Sequence, residues 1–269
     1  MQATSGTGPQ TPVAATEPPQ ILSRDMGVSI AYRRIEGKSP GVMFFGGFRS
    51  DMTGTKAVAL EAACRAAERA FIRFDYRGHG ESSGRFEDGT IGDWAADAIA
   101  VLDALTTGPQ ILVGSSMGGW IMLLAALARP NRVRGLVGVA SAPDFTEDLV
   151  WDRLTDDVRR ALQREGVWRE PSAYGEPVPI TLRLIEEGRG HLLLGGSIPI
   201  KVPVRLLHGM RDLEVPWQTS QKLLQAMESE DVQLHLVKDG DHRLSRPQDL
   251  RLIEGFVTDL ARIPPPISR

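Results

Sequence analysis

Short runs of consecutive apolar residues, rich in valine, isoleucine and phenylalanine, alternate along the chain with longer stretches in which apolar residues recur at helical spacing. The short runs predict strands over residues 28–33, 41–45, 71–74, 111–113, 134–139, 204–207 and 233–237. The longer ones predict helices over 55–69, 91–105, 117–128, 219–228 and 248–261. Such alternation predicts an α/β fold, a mostly parallel central sheet with helices on both faces. Several strands are apolar at successive positions, as burial on both faces requires.

One interval breaks this rhythm. Between Ala142 and Val202 no strand–helix unit is evident. Val150, Leu154, Val158 and Leu162 recur at spacing four, which predicts one face of a helix. A turn-rich stretch over 166–179 follows, then a second apolar segment over 180–185. A long insertion in a compact α/β sheet is usually functional, and residues 145–200 are expected to form a small cap. At the other end, residues 1–20 are rich in threonine, proline, alanine and glycine and predict a disordered tail, leaving 21–269 as one domain.

The bulk composition narrows the function. A chain of 269 residues with 42% apolar and 24% charged residues can bury a core without staples. A formal charge of −3 gives no electrostatic reason to expect a nucleic-acid partner. The single cysteine, Cys64, excludes an internal disulfide and reads as a packed thiol in a helix. No window approaches the roughly 18 consecutive apolar residues of a membrane span. The N-terminal stretch lacks the apolar core of a secretory signal, and its first arginine is Arg24.

The strongest chemical signal is Gly114-Ser115-Ser116-Met117-Gly118, which fits G-x-S-x-G between a strand pattern and a helix pattern. A nucleophilic serine needs a sharp strand-to-helix turn that lifts its hydroxyl above the sheet. Gly114 and Gly118 leave room for the neighbouring backbones, and the helix N-terminus favours developing negative charge. Centring the pattern on Ser115 fails, because Val113 and Met117 stand where glycines are needed.

A serine hydroxyl needs a base, and the base needs an orienting acid. His242 follows the last strand in a loop ahead of the final helix, where this chemistry places its base. His208 ends a strand, His235 lies within one, and His79 and His191 are set aside by context. Asp212, just after the penultimate strand, is favoured as the acid, with Asp144 and Glu214 as alternatives. Glu214 is expected to point elsewhere, and Asp241 to shape the His242 loop.

Acyl transfer also needs two N–H groups aimed at the oxyanion. Met117 should supply one and Phe48, in Gly46-Gly47-Phe48, the other. The loop Phe74-Asp-Tyr-Arg-Gly-His-Gly80, with Arg77 and His79, is expected to brace the site rather than react. Neither a cysteine pair nor a His-x-x-x-His helix is present, and no G-x-G-x-x-G follows the first strand, so neither a metal nor a cofactor is expected.

With these residues in place, the chain resembles the α/β-hydrolase superfamily, and within it the tenth abhydrolase-domain branch of palmitoyl-protein thioesterases and acyl-glucuronide esterases. The likeness runs from about residue 30 to the C-terminus. It is carried by Gly37-Lys-Ser-Pro-Gly41, Gly54-Thr-Lys-Ala57, Ile72-Arg-Phe-Asp-Tyr76 and the 108–120 stretch, and by Gly166-Val-Trp168, Leu206-Leu-His-Gly-Met210, Val215-Pro-Trp217 and Asp241-His-Arg243. It implies Ser116, Asp212 and His242 as a triad that hydrolyses fatty-acyl thioesters on protein cysteines or acyl-glucuronide esters. The chain departs from that branch at Gly46-Gly47, where Pro-Gly is the expected pair, and in a tail that is not basic and serine-rich. The tail therefore reads as that of a cytoplasmic protein, with the mitochondrial matrix as the alternative.

Substrates are then a small molecule or an acyl-protein. The apolar cap segments suit an acyl chain, and Arg183 and Arg189 are candidates to meet a substrate carboxylate. A cofactor-free haloperoxidase, an acyltransferase or a C–C hydrolase on the same scaffold is the alternative from another reaction class, and a non-catalytic binding module is a third.

Overall fold

The structure is a computed structural model, and it describes residues 18–170 and 177–264. Most of the tail expected over 1–20 lies outside the described residues, but Gln20 does not: it opens the first strand. In chain order the strands of the main sheet are β1 (Gln20–Ser23), β2 (Ser29–Ile35), β3 (Lys38–Phe45), β4 (Arg69–Phe74), β5 (Gln110–Ser115) and β6 (Val133–Val139). The next two strands, β7 (Val167–Glu170) and β8 (Val178–Thr181), form a separate antiparallel ribbon. The main sheet is completed by β9 (Val204–Gly209) and β10 (Val232–Val237). Its order is β1-β2-β4-β3-β5-β6-β9-β10, antiparallel at β1 and β2 and parallel from β4 onward.

The successive apolar positions in the strands divide between two cores. On β3, Val42 and Phe44 enter one core and Met43 and Phe45 the other; on β5, Ile111 and Val113 oppose Leu112. The helices α1 (Thr55–Ala66) and α7 (Pro247–Arg262) cover the first face. The opposite face is covered by α2 (Ile91–Leu105) and α3 (Met117–Ala128), with the fully buried Trp94 and Trp120. Cys64 is buried on the inner face of α1, and burial pushes its thiol up to about 12.

Helices α2 and α3 have the bounds expected from the sequence, because Thr90 caps the first by accepting from the Asp93 N–H and Ser116 breaks the chain before the second. The expected helix over 55–69 stops earlier, at Ala66. Glu68 adopts a left-handed conformation (φ 51°), and its carbonyl accepts the Lys38 N–H.

The insertion between β6 and β9 departs most from expectation. Val150, Leu154, Val158 and Leu162 do not share one helix. The chain makes a wide turn over Thr146–Val150 and a tight one over Trp151–Arg153, becomes extended at Leu154, and only then enters α4 (Asp156–Glu165). Thr155 is the reason: its hydroxyl accepts the Val158 N–H, which starts a helix there. The turn-rich stretch contains the β7–β8 ribbon, and the second apolar segment splits into the end of β8 and α5 (Leu182–Gly188). A last helix, α6 (Gln218–Ala226), precedes β10.

Beneath this edge the fully buried Asp97 carboxylate accepts from the Arg77 guanidinium at 2.8 Å and from the Arg77 N–H at 2.9 Å, and pairs with Arg24. Removing one partner of a buried pair leaves an uncompensated charge. Asp97→Ala is therefore expected to destabilise the fold by about 3 kcal/mol or more, read as a lower urea midpoint with an unchanged slope.

Candidate active site

Ser116 sits between β5 and α3 with φ 55° and ψ −123°, a conformation that non-glycine residues rarely adopt. The turn is held from both sides: the Ser116 N–H donates to Val139 O at 2.9 Å, and the Ala142 N–H donates to Ser116 O at 3.1 Å. Crowding around it explains the two glycines. A Cβ at Gly118 would lie 2.2 Å from Phe45 O, and one at Gly114 2.4 Å from Gly118 O.

Two loops at the C-terminal edge of the sheet bring the other groups in. The Arg211 N–H donates to Gly240 O at 2.9 Å, and a Cβ on Gly209 would lie 2.4 Å from that same oxygen. The loop after β9 and the loop after β10 thus meet backbone to backbone. Asp212 and His242 face each other as a result, with His242 Nδ1 2.7 Å from Asp212 Oδ2 and Nε2 3.1 Å from Ser116 Oγ. A carboxylate only accepts, so Nδ1 carries the hydrogen and the Nε2 lone pair faces the hydroxyl. Asp241 accepts the Leu244 N–H and closes the His242 loop, as expected.

The Asp212 side chain is fully buried, and four donors reach it. Oδ1 takes the N–H groups of Glu214 and Val215, and Oδ2 takes His242 and His208. Burial alone would raise its pKa. The hydrogen bonds from His208 and His242, the electrostatic attraction of the His242 ring and the Val215 N–H outweigh burial and hold the carboxyl well below the usual range.

His208 went unassigned by sequence. Its Nε2 lies 3.0 Å from Val215 O and 3.2 Å from Asp212 Oδ2, both acceptors, so Nε2 carries the hydrogen and Nδ1 accepts from Ser220 Oγ at 2.7 Å. The only sequence signal for it was its spacing of four from Asp212 at the end of a strand. Lys56 was also missed. Its amine donates to Arg243 O at 2.5 Å and so ties α1 to the His242 loop, and burial lowers it to about 8 against the opposing charge of Asp241.

The alternative acids lie elsewhere. Asp144 accepts from the Leu193 and Leu194 N–H groups and anchors the insertion; among the described residues no hydrogen bond joins it to His242. Glu214 does not point away as expected. Its carboxylate comes within 3.6 Å of His242 Nε2, although its side chain remains 63% exposed.

Gly47 packs against Ser116, where a Cβ would lie 3.4 Å from the serine Cβ, and so brings Phe48 to the site. Phe48 and Met117 line the same cavity as Ser116, and among the described residues no hydrogen bond takes their N–H groups. His79 braces this loop: Nε2 accepts the Arg49 N–H at 3.3 Å and Nδ1 donates to Arg77 O at 3.2 Å. Burial lowers the His79 pKa, in keeping with a neutral ring.

The cavity over Ser116 measures about 740 Å³. Its lining includes the apolar residues Phe145, Leu149, Val150, Val178 and Ile180 and the charged residues Arg49, Lys56, Arg153, Glu170, Glu214 and Arg243. Burial raises Glu170 despite the nearby Arg153. Arg183 and Arg189, the expected carboxylate partners, are not in this lining. Arg183 pairs with Asp93, while Arg189 pairs with Glu147 and stacks over Trp151 at 4.9 Å, so both brace the insertion.

A parallel sheet with a sharp strand-to-helix turn at Ser116 after β5 and the facing groups after β9 and β10 defines a class of enzymes. A family model described as the alpha/beta hydrolase fold matches residues 57–166. The chain belongs to the α/β-hydrolase family and is a hydrolase. It is 45% identical over 242 residues to the bovine mitochondrial palmitoyl-protein thioesterase ABHD10, covering 89% of this chain and 79% of that protein, and 44% identical to the human one over the same shares. The solved mouse alpha/beta hydrolase domain-containing protein 10 superposes with a TM-score of 0.84 at 42% identity, covering 90% of this chain and 97% of that one. A crystal structure of a protein from Agrobacterium vitis S4 gives 0.86 at 41% identity, covering 90% and 96%.

Because the folded Asp212 carboxyl is depressed, its stabilising contribution is complete above the unfolded pKa of about 3.9 and is lost as pH falls toward the folded value. The stability advantage of the native chain over Asp212→Asn, measured by urea unfolding, is expected to be constant above about pH 5. It should shrink by up to about 1.4 kcal/mol per pH unit below about pH 4.

Proposed function

We propose that the chain is a serine thioesterase or carboxylesterase acting through an acyl-Ser116 intermediate. The hydrogen-bonded series Asp212–His242–Ser116, assembled from three loops far apart in sequence, carries this reading. His242 Nε2 takes the hydroxyl proton as Ser116 Oγ bonds to the acyl carbon. The N–H groups of Phe48 and Met117 receive the oxyanion, and the N-terminus of α3 lies behind them. Collapse breaks the carbon–sulfur or carbon–oxygen bond, and His242 returns the proton to the leaving thiol or alcohol. Water, deprotonated by His242, then releases the acid and restores Ser116. Asp212 orients the imidazole and stays ionised throughout.

Residues 145–200 act as the cap. Their apolar lining residues take the acyl chain, and the charged residues of the cavity take the leaving group. The names of the ABHD10 relatives support a fatty-acyl thioester on a protein cysteine as the substrate, and a cavity with charged lining residues also suits the sugar of an acyl glucuronide. Those names favour the mitochondrial alternative over a cytoplasmic location.

Ser116→Ala is expected to abolish covalent labelling by a fluorophosphonate probe and to lower turnover by a factor on the order of 10⁴ or more, with thermal unfolding nearly unchanged. Labelling that survives the substitution would exclude Ser116. A panel of palmitoyl-cysteine peptides, short 4-nitrophenyl esters and acyl glucuronides then ranks the substrates by kcat/KM.

A further inference from the structure

The β7–β8 ribbon separates two concavities. Side chains of a strand alternate between faces, and here the alternation has a consequence. Glu170, Val178 and Ile180 face the Ser116 cavity, while Arg169 and Pro179 face a second groove of about 330 Å³. The register agrees, since Glu170 pairs with Val178 and Arg169 with Pro179. Arg49 lines both spaces and so stands between them.

The far wall of the groove is the loop that includes Arg85 and Glu87, with Phe86 packed edge-on against Phe48 at 4.9 Å between ring centres. Among the described residues the groove lining therefore holds three guanidinium groups, those of Arg49, Arg85 and Arg169, and one carboxylate, that of Glu87. Glu87 pairs with Arg85 at 3.1 Å and with Arg169 at 3.2 Å, while the Arg49 side chain has no ion pair among the described residues. Arg85 and Arg169 keep 74% and 59% of their side-chain surface in solvent despite those pairs. Guanidinium forks match carboxylates bidentately, and an open face suits an extended chain better than a compact ligand.

We propose that this groove is the leaving-group subsite for acyl-proteins, and that it selects substrates with acidic residues beside the acylated cysteine. The proposal rests on the acyl-thioesterase reading above and adds to it the charge of the partner. The acyl chain lies against the apolar lining residues of the cavity, the thioester stands at Ser116, and the polypeptide leaves past Arg49 with its carboxylates on Arg85 and Arg169.

The test compares three thioesters at low salt: a palmitoyl-cysteine peptide flanked by aspartates, the same peptide flanked by lysines, and palmitoyl-coenzyme A. The native chain is expected to favour the acidic peptide over the basic one by about tenfold in kcat/KM, mostly through KM, and to lose the preference near 1 M salt, where the screening length is about 3 Å. The double variant Arg85→Glu/Arg169→Glu should abolish or reverse the preference; Arg85→Gln/Arg169→Gln should reduce it. Both should leave 4-nitrophenyl butyrate turnover unchanged, which reports that the fold and Ser116 are intact. Equal rates on the two peptides would overturn the groove assignment while sparing the thioesterase reading. A charge effect confined to palmitoyl-coenzyme A would overturn it in favour of a small phosphorylated leaving group. Ester turnover with neither peptide cleaved would overturn the acyl-protein reading and the groove together.

Discussion

Three stretches of backbone meet at Ser116 with no side chain between them, and the rest of the site depends on that crowding. The Phe45–Gly46 carbonyls press on α3 at Gly118, the first turn of α3 presses on β5 at Gly114, and Gly47 lies against the serine itself. A left-handed backbone at a residue with a Cβ costs on the order of 1–2 kcal/mol. It persists because its peptide groups are bound on both sides, to Val139 and to Ala142. The same crowding that strains Ser116 also keeps Phe48 and Met117 on the lining of the Ser116 cavity.

A second constraint sits below the first. Asp212 has no solvent contact, so its charge is tolerable only because two backbone N–H groups and two imidazoles reach it. His208 is pinned in turn by Ser220 and by the Val215 carbonyl, and Lys56 holds the next loop through the Arg243 carbonyl. The imidazole that faces Ser116 is therefore the exposed tip of a polar assembly that reaches into α6 on one side and α1 on the other.

The legible features were those written in local pattern. Strands buried on both faces read as unbroken apolar runs, and Thr90 and the 114–118 turn marked the starts of α2 and α3. Ser116, Asp212 and His242 were accessible because each follows a strand in a chain order with a mechanistic reason. The features that escaped depend on tertiary contact. The spacing of Val150 to Leu162 imitates a helix, yet Thr155 restarts the chain and leaves Leu149 and Val150 on the cavity wall. Strand β1 is four residues long and exists by pairing with β2. Arg183 and Arg189 looked like substrate ligands because a sequence does not show that Asp93, Glu147 and Trp151 already occupy them.

The two-residue alternation of the ribbon ties two specificities to one short element. Because Arg169 and Glu170 are neighbours in the chain and opposites in space, inserting one residue ahead of them would exchange their faces. Substitutions that keep the register can change the lining of the Ser116 cavity and the charge of the outer groove separately, one face at a time. Insertions within these two strands must therefore come in even steps, or residues that line the Ser116 cavity are turned outward.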